Sequence, residues 1–157
     1  MVRVGSETNS PERPGGVTIP SRVLCGVYAL IAVAALIATW SQNVAYLHSP
    51  ASFLVDFLTD SKANPGSRSL TVDISLLFLS AGILIVIEAR KHGVRFVWAY
   101  IIGGFAIAIS VTFPLFLIAR ELRMRHTGQS RVSTADAAAL VVFAAVIAGL
   151  VVWVDVL

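Results

Sequence analysis

Residues 70–121 read LTVDISLLFLSAGILIVIEARKHGVRFVWAYIIGGFAIAISVTFPLFLIARE, and the fold turns on how this stretch is understood. It holds two apolar runs, about Leu70–Ile87 and about Phe96–Ala119, separated by the basic turn Arg90-Lys91-His92-Gly93. Each approaches or exceeds the ~20 apolar residues that a helix needs to cross hydrocarbon. Neither has the polar face of an amphipathic helix in a soluble core. The pair predicts two spans in an antiparallel hairpin, with Trp98 and Tyr100 at headgroup depth. Working outward, Val23–Trp40 and Ala135–Val154 are equally apolar, carry Trp40 and Trp153 at their ends, and predict a first and a fourth span.

The whole composition agrees. Of 157 residues, 57% are hydrophobic and 13% charged, with a mean hydropathy of +0.82. Soluble domains are nearer half apolar and a quarter charged. This excludes a disordered chain, a basic nucleic-acid-binding domain and an ordinary soluble enzyme, and leaves no room for a separate catalytic domain. The expected fold is an all-α membrane protein, four transmembrane helices in a small bundle, with a short amphipathic helix between spans one and two. Residues 1–22 are polar, with Pro, Gly, Ser and both charge signs, and are expected to be a disordered tail. The run after them exceeds the ~7–15 apolar residues of a signal peptide and is taken as an uncleaved span.

The long first connection has a pattern of its own. Ser49-Pro50 offers an N-cap and a first-turn proline. Phe53, Leu54, Phe57 and Leu58 recur at helical spacing, with Asp56 and Asp60 on the other side. An amphipathic helix over about 50–60 follows, lying on the membrane or folded against the bundle, and Ala63-Asn64-Pro65-Gly66 closes it with a turn. In the third run, Gly104 with Ala108 and Ala106 with Ser110 have the small-xxx-small spacing of close helix packing. Pro114 deprives the Ser110 carbonyl of its partner and predicts a kink there, with Ser110 or Thr112 re-satisfying the backbone. Ser133 precedes Asp136 by three residues, a capping-box spacing, and Ala145 with Gly149 is a further packing pair.

Chemistry-bearing residues are few. Cys25 is the sole cysteine, which excludes a disulfide within the chain and predicts a small buried thiol. His48, His92 and His126 lack metal-ligand spacing, and no nucleophile elbow, phosphate loop or dinucleotide fingerprint is present; no metal or cofactor is expected. Asp73 draws attention because an ionised carboxylate in hydrocarbon costs a few kcal/mol; its plainer role is a first-turn acid facing the helix dipole. Glu88 and Arg90 end the second span, Arg120 and Glu121 the third. Asp73 and Glu88 are separated by about 22 Å of helix, too far to act on one bond. If both spans cross, Glu88 and Arg120 lie on opposite sides and do not meet. Asp73 and Arg120 then share a side, where they hold helices in register or bind an anionic lipid headgroup. Tyr46 and Asn64, with Gln42 and Asn43, give the first connection the character of a polar cap over one mouth of the bundle.

The ordered set Asn64-Pro65, Asp73, Glu88-Ala89-Arg90, Trp98 with Tyr100, and Phe113-Pro114-Leu115-Phe116-Leu117-Ile118-Ala119-Arg120-Glu121 resembles the bacterial membrane family catalogued as domain of unknown function 2834. The resemblance covers about Val23 to Arg123 and implies three spans plus an amphipathic segment as the core membrane domain, 23–123. It makes the tail and the region 124–157, with the fourth span at about 135–154, additions to that core, and it implies no activity.

The expected function is that of a small, non-enzymatic membrane protein of the bacterial inner membrane, multi-pass, that packs with itself or with a larger membrane partner. The alternative is a small enzyme or carrier for a lipid-like substrate, using Asp73 and Arg120 with Tyr46 or Asn64 at the mouth. With four crossings and the N-terminus inside, Arg3, Arg13, Arg22, Arg90, Lys91 and Arg95 face Lys62, Arg68, Arg120, Arg123, Arg125 and Arg131 across the bilayer, so the positive-inside rule is balanced. The short basic turn at 90–95 tips the reading to a cytoplasmic N-terminus.

Overall fold

The computed structural model describes residues 16–48, 52–124 and 130–156. Strand β1 (Gly16–Ile19) leads into α1 (Ser21–Asn43) and a 3-10 turn (Val44–His48). Then come α2 (Phe53–Asp60), α3 (Pro65–His92), α4 (Val97–Gly103), a π-helical turn (Gly104–Ala108), α5 (Ile109–Arg123), β2 (Ser130–Ser133) and α6 (Thr134–Val156). Four helical segments are long and apolar enough to cross a membrane: Ser21–Leu47, Pro65–His92, Val97–Arg123 and Thr134–Val154. The all-α class read from the sequence, with four candidate membrane-spanning helical segments, is what the chain adopts.

The second of these starts earlier than the apolar run suggests, because Asn64 caps it. The Asn64 side chain accepts from the Ser67 backbone N–H at 2.8 Å, and the Ser67 hydroxyl accepts from the Asn64 N–H at 3.2 Å, with Pro65 in the first turn. The Ala63–Gly66 turn therefore opens α3, and Asn64 is consumed as a cap rather than lining a mouth. Asn64→Ala is expected to lower stability by about 1 kcal/mol, and Asn64→Asp to keep most of it; thermal unfolding in detergent checks both. At the other end Arg90, Lys91 and His92 occupy the last turn, where cations oppose the helix dipole, and Gly93 (φ 66°) takes the left-handed cap. The Ser49-Pro50 cap expected for α2 lies outside the described residues, and α2 begins at Phe53.

The third segment is not one rod. At Ala108 the backbone is extended (φ 177°, ψ 143°) between the π-helical turn and α5. Tyr100 and Phe116 would be about 24 Å apart along a straight helix, yet their ring centroids are 5.7 Å apart, edge to face. A Cβ on Gly104 would stand 3.0 Å from the Thr112 hydroxyl and 3.0 Å from the tip of the Phe78 ring. The chain thus doubles back at Ala108, with residue 104 against 112 and residue 100 against 116. Gly103 and Gly104 make this close approach possible. The break falls six residues before Pro114, through which α5 continues. The Thr112 hydroxyl donates to the Ala108 carbonyl at 3.4 Å, not to that of Ser110. The polar backbone exposed at such a break is tolerated at membrane depth only inside protein, and Gly104, Val111, Thr112 and Pro114 are buried accordingly.

The core lies between the arms of this hairpin and α3: Ile85, Ala89, Val97 and Phe116 are buried, with Val86, Tyr100, Ile101, Phe113 and Leu117 packed around them. On the other side α5 packs along α1, whose less exposed residues, Ser21, Cys25, Tyr28, Ala32, Ala35 and Thr39, recur at helical spacing. Cys25 is half-buried rather than buried. Within the expected tail, β1 pairs antiparallel with β2, Gly16 opposite Ser133 and Ile19 opposite Ser130. This ribbon fastens the start of α1 to the start of α6, where Ser133 Oγ accepts from the Asp136 N–H at 3.1 Å. At their far ends, Ala38, Thr39 and Gln42 of α1 share a groove with Leu150, Val151 and Val154 of α6. Helices α1 and α6 are therefore parallel.

Two ends of the molecule follow. The basal end gathers the start of α1, the end of α3, the start of α4, the end of α5 and the start of α6. The distal end holds the end of α1, α2, the start of α3 and the end of α6.

Candidate functional site

At the basal end Arg120, in the last turn of α5, donates through Nε to Glu88 Oε2 near the end of α3. His92 Nε2 is 3.3 Å from the same oxygen and Lys91 Nζ is 3.9 Å from Oε1. The Glu88 side chain keeps only 14% of its exposure and Arg120 30%, whereas Lys91 reaches into solvent with 67%. One carboxylate thus sits among three basic side chains, two on its own helix and one from the hairpin. Glu121, next along α5, is buried on the α1 side, within electrostatic reach of Tyr28. Arg90 is exposed.

This overturns one expectation. Glu88 and Arg120 do meet, because the chain between 97 and 123 reverses at Ala108 and returns Arg120 to the end of the bundle it left. Asp73 stands about 22 Å along α3 from Glu88, exposed on the helix surface among Leu70, Val72, Ile74 and Leu76. Asp73 and Arg120 therefore do not form one site. The signal for Lys91 and His92 was in the sequence, since i+3 and i+4 positions share a helix face. The signal for Arg120 was the Gly103-Gly104 pair, which permits a reversal as readily as a close helix contact.

At the distal end Tyr46 donates to Asp60 Oδ2 at 2.9 Å and packs edge to face on Phe53 and Phe57. This folds α2 back on the end of α1 and leaves Leu54, Val55 and Leu58 exposed on its other side. The amphipathic helix is real, and Tyr46 serves to hold it. Among the described residues no group of three His, Cys, Asp or Glu is placed to hold a metal ion. An apolar groove of about 530 Å³ runs between α3 and α4, lined by Phe78, Gly82, Val86, Trp98 and Ile101, with Ser75 as its hydroxyl-bearing residue. Such a surface suits hydrocarbon and offers nothing for acid–base or nucleophilic chemistry.

Folded hairpin, long apolar helices and an ion cluster at one end define a small multi-helix membrane protein. A family model described as "Protein of unknown function DUF2834" matches residues 27–122, and the chain belongs to that family. No curated protein and no solved structure matches the chain. The matched region begins within α1 and ends within α5, so the family unit takes in most of α1, α2, α3 and the reversing hairpin up to residue 122, with α6 outside it.

Proposed function

We propose that this is a non-enzymatic accessory protein of a bacterial cell membrane, with its N-terminus cytoplasmic, that packs through α3 and α6 with a second copy or a larger membrane partner. The observation that carries it is unused helix surface. No residue in the apolar window of α6 is buried within the chain, and only 11% of that of α3; the window of α1 is 6% buried, but α5 runs along one side of it. Gly149, expected to pack with Ala145 at a helix contact, has nothing within 4 Å of where a Cβ would be. Small residues left open on a membrane helix suit close approach by another helix. The exposed Asp73 points the same way, since a carboxylate at the edge of hydrocarbon calls for a donor.

Native mass spectrometry of the protein in nanodiscs, with wild type and Asp73→Asn side by side, tests this. A dimer mass, or a co-purifying membrane protein, that is reduced in the variant is the expected result. A monomer alone, unchanged by Asp73→Asn, rejects the reading.

A further inference from the structure

We infer that the segment Val97–Arg123 enters and leaves the membrane on one side, as a re-entrant hairpin, and that it collects a cationic face at the basal end which lies against the anionic cytoplasmic leaflet. Length supports the first part. The arm from Val97 to Ala108 has twelve residues and α5 has fifteen, about 18 and 22 Å of helix. Either falls short of the ~30 Å of hydrocarbon. Contacts support it independently: the Arg120 to Glu88 bond and the Tyr100 to Phe116 ring contact both require the two arms to lie side by side.

Charge then becomes one-sided. Among the described residues, Arg22, Arg90, Lys91, Arg95, Arg120, Arg123 and Arg131 all belong to the basal end, and Lys62 and Arg68 to the distal end. That is seven against two, where four straight crossings divide the same nine residues four against five. Basic residues close to helix ends are retained on the cytoplasmic side, and each is attracted to anionic headgroups there. Glu88 neutralises part of this face from within; Lys91 remains outward. Glu88, Glu121 and Asp136 offset three of the seven basal cations, whereas at the distal end Asp56, Asp60 and Asp73 outnumber Lys62 and Arg68. The chain then crosses an odd number of times, through α1, α3 and α6, and the two ends of the described chain lie on opposite sides. This rests on the multi-pass reading but not on the docking of α3 and α6, which the nanodisc experiment addresses.

Sidedness of single cysteines decides it. In a Cys25→Ser background, which has no other cysteine, Phe96→Cys, Met124→Cys and Ala63→Cys leave every charge in place. A membrane-impermeant maleimide is applied to intact spheroplasts and to inverted vesicles. Labelling of positions 96 and 124 in inverted vesicles only, with position 63 labelled in spheroplasts only, is the expected result. Positions 96 and 124 labelled from opposite sides overturn the re-entrant hairpin. Both labelled from outside leave the hairpin standing and overturn the cytoplasmic cationic face. For any variant that fails to fold, a reporter fused after Leu157 gives a second reading: alkaline phosphatase active and a fluorescent protein dark supports an external end, and the reverse overturns it.

Discussion

Glu88→Gln is expected to lower the midpoint of thermal unfolding in detergent more than any other single change in the basal ion cluster, because Arg120, Lys91 and His92 all face this one carboxylate. Hydrogen bonds to charged groups contribute ~1.5–3 kcal/mol, and breaking one side of a desolvated ion pair costs more than an exposed one because the remaining charge keeps its desolvation penalty. Both side chains here are less than a third exposed, and Arg120 ties the end of α5 to the end of α3 through this bond. The two partners are not equivalent. Loss of Glu88 leaves Arg120 among Lys91 and His92 with no carboxylate between them. Arg120→Gln leaves Glu88 with Lys91 at 3.9 Å and His92 at 3.3 Å, and its unfolding midpoint is expected to fall less than that of Glu88→Gln. A double-mutant cycle separates the pair from its surroundings. Coupling below about 0.5 kcal/mol means the pair does not bind α5 to α3.

The sequence showed the spans because apolar length is a local property. Four runs without a polar face leave helices as the only backbone that satisfies itself in hydrocarbon, and the structure places helices over all of them. It also showed α2, through Phe53 and Phe57 at i and i+4. What it hid was the path of the third run. A 24-residue apolar stretch, about Phe96–Ala119, reads equally well as one crossing or two half-length arms, since composition records depth and not direction. Gly104 with Ala108, and Ala106 with Ser110, have a spacing that serves a contact between separate helices equally well. They are where one helix folds against its own continuation. Pro114 drew attention as the breaker, yet it lies past the turn, inside α5. That single reversal decides that Arg120 meets Glu88 and not Asp73, and that the basic residues gather at one end. The Asn64 cap is ambiguous in sequence for a smaller reason: an Asn-Pro-Gly sequence ends one helix as naturally as it begins the next.

Gly104→Leu is expected to be the most damaging single change in the hairpin, costing about 3 kcal/mol or preventing folding. Even the first carbon of a side chain there would meet Phe78 and Thr112 at 3.0 Å. Three further carbons have no room unless α3 or α5 moves, and overpacking a close-fitted core costs ~1–3 kcal/mol or more. Lipid cannot relieve the clash, because Gly104 is buried between the arms. Gly82→Leu is the matched control on α3: nothing lies within 4 Å of its Cβ position, and the change is expected to stay within about 0.5 kcal/mol of wild type. Both substitutions add the same apolar bulk and remove the same backbone freedom, so the difference isolates the close approach. Gly104→Ala, the smallest intrusion, should recover part of its loss when Phe78 is shortened to leucine, since the Phe78 ring supplies two of the three atoms it meets. Equal tolerance of leucine at 104 and 82 would show that the arms do not lie against each other at Ala108. It would take with it the one-sided placement of Arg120 and Arg123.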